Sequence, residues 1–419
     1  MSNIPTPLSS RERIDYMDLL RGIAIFGILI ANLRWFSLYS PQVSGWFTFG
    51  EIDRAVHLLQ GVFIESKFYT IFSILFGWGI ALQINRSKKD DASTAAFLRR
   101  RLWFMMLLGG LHMFFIWEGD IVFLYGLVGF VLVALRNYSN RTLLITGILL
   151  LLSPVLLYFL KMNLQWVNYP SDYLYSLGEK VYQHFGWIDQ DTSRTGVLSE
   201  STAIMSNIKI TLADAPYRFA YLFAVSRIPK VLGAMLIGFY IGRINLYSKI
   251  MKYKKVVFSA TIVGLIVFVP LNYWLEGVLK NDTAYYQHQI EGLYYTVADS
   301  LVVFPLALVY MTALALLFEK KWIQTILNPV LAVGKTAFSN YVFQSIIGII
   351  LFYGVGFGLA QQFGPLAWTI AAVIIFGLQI ILSNLWLKYF RFGPLEWIWR
   401  SLTYRKIQPL KLAKDYLRM

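Results

Sequence analysis

Cysteine is absent from this 419-residue sequence, and its absence excludes disulfide bonds, thiol catalysis, zinc sites with cysteine ligands and covalent haem attachment. Charge is also scarce: Asp, Glu, Lys and Arg make up 15% of the residues, against about 25% in an ordinary soluble domain. The four histidines have no spacing that specifies a metal site, so we expect no metal. These absences leave few of the usual routes to enzyme chemistry.

Apolar residues are what the sequence has in excess: 57% of it is hydrophobic and 17% aromatic, and its mean hydropathy is +0.55. A soluble protein of this length has no interior large enough to bury so much apolar surface, whereas lipid is a solvent for it. The sequence therefore predicts an all-α polytopic membrane protein. Ten apolar stretches are predicted to span the membrane as helices: 17–38, 55–84, 102–117, 121–135, 142–160, 229–243, 256–275, 294–318, 336–359 and 366–388.

Topology explains the net charge of +15. Most of the 38 Lys and Arg residues fall in connections on the same side as the N-terminus, or in the C-terminal tail. Because positive charge is enriched in cytoplasmic connections, we expect both termini in the cytoplasm. We expect no nucleic-acid partner, since no basic stretch is joined to a recognition motif. The chain is interpreted as one membrane domain, 1–419, with a long extracytoplasmic segment of interfacial helices at 161–226 and a basic cytoplasmic tail at 389–419.

His112 and Asp120 are the strongest candidates for chemistry, because ionisable residues inside a membrane are costly and are functional hypotheses by default. They flank the turn between the third and fourth stretches, and this helical hairpin can bring Asp120 back to His112. A histidine oriented by a carboxylate is a usual general base. The structural alternative is that Asp120 caps the fourth helix and His112 bonds to a neighbouring helix.

The first stretch carries polar residues near both of its ends. Asp18 and Arg21 lie three residues apart and share one helix face at the cytoplasmic end. They either form an ion pair that fixes the helix or present Arg21 to an anionic ligand such as a phosphate. Near the other end, Asn32 is a candidate donor to a developing oxyanion. Arg34 either binds substrate or extends its charge to the outer interface.

Glu65 and Lys67 lie inside the second stretch. Because they are two positions apart on a helix, they point in different directions, and each must face a partner helix or a wet cavity. Arg227, Lys230 and Asp299 are predicted to add to the same cavity. We therefore expect the helices to surround a polar central cavity. The predicted substrate-binding residues are Asp18, Arg21, Arg34, Glu65, Lys67 and Asp299.

Five motifs follow one another along nearly the whole chain. They are DLLRG at 18–22, KFYTIFSILFG at 67–77, His112 with GDIVFLY at 119–125, GKTAFSNYVFQS at 334–345, and FGPLEWIWRSLTY at 392–404. As a set, these motifs resemble the YeiB family of bacterial inner-membrane proteins. The resemblance implies a multi-pass protein of the bacterial cytoplasmic (inner) membrane.

That family is similar in fold to transmembrane acyltransferases such as heparan-alpha-glucosaminide N-acetyltransferase, which move an acyl group from cytoplasmic acyl-CoA to an acceptor on the other side. The similarity implies about ten helices around a central cavity and a functional Asn at the position of Asn32. The catalytic His of the acetyltransferase lies in the loop after its first span, but residues 39–50 contain no His. Either His112 or His57 replaces it, or this family does not perform that chemistry.

Three functions remain open on the sequence alone, and the third of them is a scaffold or sensor whose long outer loop binds a partner. The first is a membrane-bound O- or N-acyltransferase with acyl-CoA or acetyl-CoA as donor and an envelope sugar, lipid or small molecule as acceptor. Its predicted catalytic residues are His112, Asp120 and Asn32. The second is a small-solute transporter or exporter, in which Glu65, Lys67 and Asp299 line an intramembrane charged path. Both need the lipid bilayer and a small-molecule substrate, and a homodimer is left open.

Overall fold

The computed structural model describes residues 15–39, 50–87, 91–187 and 190–412, and these residues are helical almost throughout. In these ranges there is no β-strand, and one isolated bridge joins Phe390 and Lys411. The predicted all-α class is therefore confirmed. Most of the predicted loop at 39–50 and the end of the tail, 413–419, lie outside the described residues.

The helices divide into two runs along the chain. The first run comprises α1 Asp15–Phe36, α2 Glu51–Phe63, α3 Lys67–Arg86, α4 Asp91–Phe115, α5 Val122–Ala134, α6 Asn140–Asn163, α7 Tyr169–His184, α8 Gln190–Glu200 and α9 Ile204–Ala224. The second run comprises α10 Arg227–Arg243, α11 Leu246–Ile250, α12 Lys254–Trp274, α13 Asp282–Tyr286, α14 Ile290–Phe318, α15 Lys321–Lys335, α16 Ala337–Phe352, α17 Pro365–Tyr389 and α18 Pro394–Tyr404.

Each of the ten predicted apolar stretches contains a helix. By length and composition, six segments of the described chain are suited to cross a membrane alone: α1, α2 with α3, α6, α11 with α12, α14 and α17. Helices α9 and α10 pass the same test only together, and they meet at a bend of 65°. Since a 20-residue apolar helix matches the thickness of the hydrocarbon core, the protein is a multi-pass membrane protein.

Helix α10 lies at the centre of the packing, between α3 and α6. A Cβ atom on Gly77 of α3 would lie 1.9 Å from the carbonyl oxygen of Met235, and one on Gly238 of α10 would lie 2.0 Å from that of Ile74. The two backbones therefore approach as closely as only glycine permits, which is how small residues join helices in membranes. This contact sets the position of the bent α9–α10 pair.

Two further groups of helices enclose the region described next. Helix α1 packs against α15, α16 and α17 on one side and against α3 on another. Helices α7 and α8 pack on α9, and α9 in turn packs on α4. The described parts of the segment predicted to lie outside the membrane are thus helical, and they are joined to the α4–α5 hairpin.

Candidate active site

The hairpin of α4 and α5 turns through a short corner at residues 116–121. Gly109 permits the tight approach of the two helices, because a Cβ atom there would lie 2.4 Å from the backbone nitrogen of Phe123. One carboxylate oxygen of Asp120 accepts a hydrogen bond from that same Phe123 N–H at 2.6 Å. Asp120 therefore satisfies a free N–H in the first turn of α5, which is the capping role considered above.

The second carboxylate oxygen of Asp120 lies 2.9 Å from Nδ1 of His112. On the other side of the imidazole ring, Nε2 of His112 lies 2.9 Å from Oγ of Ser345 in α16. All three side chains are buried, with exposed fractions of 2% or less. Residues from α4, the corner and α16 thus form one hydrogen-bonded chain, Asp120–His112–Ser345.

One tautomer of His112 gives each hydrogen bond between Asp120, His112 and Ser345 a donor and an acceptor. An ionised carboxylate can only accept hydrogen bonds, so Nδ1 of His112 carries the proton and donates it to Asp120. Nε2 is then the acceptor, and the hydroxyl of Ser345 can donate to it at 2.9 Å or to the carbonyl oxygen of Tyr341 at 3.5 Å, of which the shorter contact is to Nε2. A hydroxyl that donates to an imidazole oriented by a carboxylate is the arrangement that activates a serine nucleophile.

Neighbouring side chains satisfy the backbone of the corner. The hydroxyl of Tyr341, one turn before Ser345, accepts the N–H of Ile121 at 3.3 Å, and its ring lies 5.2 Å from that of His112. Arg218 of α9 donates through Nη2 to the carbonyl oxygens of Gly119 and Asp120, at 3.3 and 3.2 Å. The corner that carries Asp120 is therefore held by both α16 and α9.

A buried ion-pair group attaches the α7–α9 segment to the same corner. Arg194 contacts Glu118 at 2.6 Å and Asp214 at 2.7 Å. The hydroxyl of Tyr182 donates to the other oxygen of Asp214 at 2.6 Å. Burial, together with the Asp214 carboxylate, raises the pKa of Tyr182, so its hydroxyl stays protonated and continues to donate. The α7–α9 segment thus forms a covering layer over the hairpin.

A second polar group forms where α2 breaks into α3. Glu65 accepts from Arg34 of α1 at 2.6 Å and from Lys280 at 3.0 Å, and Lys280 also contacts Glu276 at 2.9 Å. Arg34 therefore has a carboxylate partner within the protein, in a partly buried ion pair. His57 of α2 lies close enough to these charges to interact with them. His57 is thus near the charged group, whereas His112 is the histidine that contacts Asp120.

Lys67 is completely buried at the first position of α3. Its Nζ donates to the carbonyl oxygen of Gly61 in α2 at 2.6 Å, across a break where Ser66 has a φ of 68°. The side chains of Lys67 and Glu65 do not bond to each other, but the predicted reason is wrong, because Glu65 lies in the break between α2 and α3 and not on one helix with Lys67. The backbone N–H of Lys67 donates to the carbonyl oxygen of Glu65 at 2.9 Å. Farther along the bundle, Lys230 of α10 pairs with Asp299 of α14 at 2.7 Å. The charges predicted inside the membrane are therefore mostly paired across helices.

The remaining predicted residues lie apart from the hydrogen-bonded chain. Asp18 and Arg21 form an ion pair of 2.6 Å near the start of α1, where Arg21 keeps about a third of its side chain exposed (31%). Asn32, eleven residues farther on, is half-buried, and its amide makes no hydrogen bond within the described parts of the chain. Eleven helical residues separate Arg21 and Asn32 by about 16 Å.

Sequence reasoning brought His112 and Asp120 together and missed Ser345, Tyr341 and Arg218 as their neighbours. Ser345 and Tyr341 did lie in a motif that carried the family resemblance, but that motif has no feature that assigns either residue to His112. Arg218 lies in the segment assigned to the outer surface. The missed contacts join residues that are about a hundred or more positions apart, so no local pattern marks them.

Comparison with known proteins gives relatives over the whole chain. A family model described as "Protein of unknown function (DUF418)" matches residues 241–406. The uncharacterized protein YxaH of Bacillus subtilis (strain 168) is 30% identical over 421 residues, which cover 96% of this chain and 97% of YxaH. The uncharacterized protein YeiB of Escherichia coli (strain K12) is 27% identical over 95% of this chain and 98% of its own length.

A third relative is the uncharacterized 39.9 kDa protein in the amylase 3′ region of Bacillus acidopullulyticus, which is 25% identical over 98% of this chain and 99% of its own length. No solved structure matches the chain. The similarity to YxaH and YeiB spans nearly the full length of all three proteins, as the five motifs predicted. This multi-pass helical membrane protein therefore belongs to the YeiB family.

Proposed function

We propose that this protein is an acyltransferase of the bacterial cytoplasmic membrane that moves an acyl group from a cytoplasmic acyl-CoA to an acceptor in the envelope. The observation that carries the proposal is the buried hydrogen-bond chain from Asp120 through His112 to Ser345. This order of groups suits nucleophilic acyl transfer, because the base and the hydroxyl that it activates are already in contact.

In the first step, Oγ of Ser345 attacks the thioester carbonyl carbon while Nε2 of His112 takes the hydroxyl proton. Asp120 stabilises the imidazolium that results and keeps its ring oriented. The carbon–sulfur bond then breaks, and the CoA thiolate leaves with the proton from His112. An ester between the acyl group and Ser345 remains on the protein.

In the second step, His112 takes a proton from the hydroxyl or amine of the acceptor, whose oxygen or nitrogen attacks the ester carbon. The bond to Ser345 breaks, and Oγ recovers its proton from His112. The acyl group is then on the acceptor, and all three side chains are in their starting states. The amide of Asn32, which has no hydrogen-bond partner among the described residues, is our candidate donor to the carbonyl oxygen.

The position of Ser345 along its helix also supports transfer between the two sides of the membrane. Ser345 lies eight residues after Ala337 in the 16-residue helix α16, about 12 Å from its first residue. In this proposal the donor reaches Ser345 from one end of α16 and the acceptor from the other, along a path that opens to the buried serine. In this proposal about ten helices enclose a central polar cavity, with Arg21 and Asp18 at its cytoplasmic end and Arg34, Glu65, Lys67 and Asp299 along it.

The test is covalent labelling of the protein in lipid nanodiscs by acetyl-CoA with a radioactive acetyl group, before any acceptor is added. We expect label on Ser345 in the wild type and none in Ser345→Ala or His112→Ala. Ser73→Ala is the matched control, because Ser73 is a fully buried serine whose hydroxyl lies 2.6 Å from that of Tyr125 and does not contact His112. Equal labelling of the Ser345→Ala variant would refute the assigned nucleophile.

The charged group at the α2–α3 break favours a second candidate, a small-solute transporter. Arg34, Glu65, Lys280 and Glu276 form a continuous set of ion pairs, and Lys67 lies fully buried beside them. Such charges are costly inside a membrane and often line a substrate or proton path. A transporter should lose transport in Lys67→Met and keep it in Ser345→Ala. The proposed acyltransferase should lose covalent labelling in Ser345→Ala and keep it in Lys67→Met.

A further inference from the structure

Two arginines flank the bend between α9 and α10. Arg218 lies in α9 and Arg227 is the first residue of α10, on either side of Ser226, whose φ is 51°. Within the ranges that the structure describes, no carboxylate lies within 4.0 Å of either guanidinium. This sets them apart from Arg34 and Arg194, which both have carboxylate partners.

Most of the hydrogen-bond donors of these arginines have no acceptor among the residues that the structure describes. Arg218 donates through Nη2 to the carbonyl oxygens of the corner, but its buried Nε has no partner. Arg227 donates to the hydroxyl of Tyr221 at 3.1 Å, and its guanidinium lies 4.0 Å from the ring centre of Tyr69. Each guanidinium has five N–H groups, and a buried donor without an acceptor, such as Nε of Arg218, is costly. Two partly exposed guanidiniums with a free buried donor between them and the corner suit an anionic ligand.

The two guanidiniums face a common neighbour. Arg218 lies 5.6 Å from the ring centre of Tyr221 and Arg227 lies 5.9 Å from it, so both groups approach one aromatic ring. Two guanidiniums beside one tyrosine ring, one of them bonded to the tyrosine hydroxyl, supply several donors, and the tetrahedral oxygens of a phosphate accept several N–H and O–H donors at once. The first turn of the 17-residue helix α10 adds the positive end of its dipole.

We infer that Arg218, Arg227 and Tyr221 form a phosphate-binding subsite beside the Asp120–His112–Ser345 chain, and that the acyl acceptor is a phosphate-bearing molecule. The identification of the acceptor rests on the proposed acyl transfer, but phosphate binding itself does not. Because Arg218 bonds directly to the carbonyl of Asp120, a phosphate held here places the rest of the acceptor next to His112. The phosphate belongs either to a soluble phosphomonoester or to a lipid headgroup.

The experiment measures stabilisation of the protein in phosphatidylcholine nanodiscs by glycerol 3-phosphate. We expect the wild type and Ser345→Ala to be stabilised equally, and Arg218→Gln and Arg227→Gln each to weaken binding about tenfold or more. Arg243→Gln, at the far end of α10, is the matched control, since Arg243 donates to the carbonyls of Tyr138 and Arg136. Stabilisation by phosphatidylglycerol nanodiscs alone, lost in the same two variants, would assign the phosphate to a lipid headgroup.

Chemical modification of the wild type gives a readout that does not depend on variants that fold. Phenylglyoxal should modify Arg218 and Arg227 less in the presence of the stabilising phosphate compound, while modification of Arg243 stays unchanged. If neither phosphate source stabilises the wild type, or if both glutamine variants respond as the wild type does, the subsite is refuted. Retained phosphate binding without any labelling of Ser345 would instead refute the acyl transfer and leave the subsite in place.

Discussion

Asp120 serves two structural purposes with its two carboxylate oxygens. One oxygen accepts the N–H of Phe123 in the first turn of α5, and the other accepts Nδ1 of His112. The capping interpretation and the catalytic interpretation of this residue are therefore compatible. They can be separated experimentally, because an amide in place of the carboxylate can still cap the helix but reverses the hydrogen bond to the imidazole.

Asp120→Asn should remove acyl transfer while leaving the fold intact. The amide oxygen can accept from Phe123, so we expect the stability of the protein to change by no more than about 1 kcal/mol. The amide N–H would then face Nδ1 of His112 and favour the tautomer with its proton on Nε2. That tautomer cannot accept from Ser345, and the rate of Ser345 labelling should fall about 10⁴-fold, as in other triads with this change. Labelling at the wild-type rate would contradict the role of Asp120.

At the scale of elements, Glu396 joins the C-terminal helix α18 to the helix that carries Ser345. Its carboxylate accepts the backbone N–H groups of Phe338 and Ser339 at 2.7 and 3.1 Å, and the hydroxyl of Ser339 at 2.5 Å. These N–H groups belong to the first turn of α16, where they have no partner within the helix. Glu396 therefore fixes one end of α16 from outside the helix.

Glu396→Ala should loosen α16 and lower the free energy of unfolding by about 2 kcal/mol, because buried donors to a carboxylate lose their acceptor. The measurement is unfolding in mixed micelles. Glu319→Ala is the control, since Glu319 forms an exposed pair with Lys254 at 2.5 Å and such pairs contribute about 1 kcal/mol or less. Similar losses in the two variants would show that Glu396 does not anchor α16.

At the scale of the whole molecule, the proposed donor site and the hydrogen-bonded chain lie in different parts of the bundle. Arg21 is partly exposed near the start of α1, whereas the corner that carries Asp120 is enclosed by α9 and α16. The proposal therefore requires an acyl-CoA molecule whose phosphates remain at Arg21 while its thioester extends into the bundle. This separation predicts that donor binding and acyl transfer can be lost independently.

Acyl-CoA at 100 times its Kd should stabilise the protein in nanodiscs by about 2.7 kcal/mol, measured as an increase in Tm. Arg21→Gln should remove this increase, because it deletes the charge that attracts the phosphates while its amide can still donate to Asp18. Ser345→Ala should keep the increase. Lys254→Ala, which removes an exposed cation paired with Glu319, is the control that should respond as the wild type does. An absence of stabilisation by every acyl-CoA tested would favour the transporter.

Much of the architecture was accessible from the sequence, for a physical reason. A chain that is 57% hydrophobic can bury its apolar surface only in lipid, and backbone groups in lipid must be paired within helices. The all-α membrane class and a helix in each predicted apolar stretch follow from that constraint alone. The contact of His112 with Asp120 was also accessible, because these residues are eight positions apart and a single hairpin joins them.

Only the tertiary structure decided what else surrounds His112. Ser345 is 233 positions from His112, and Arg218 is 98 positions from Asp120. Their contacts depend on how α16 and α9 pack against the hairpin, which no local periodicity encodes. The same holds for Glu65, whose partners Arg34 and Lys280 lie 31 and 215 positions away. The sequence alone determined that the protein lies in lipid, where its helices occur and that His112 and Asp120 meet. Tertiary packing decided which distant side chains share their site.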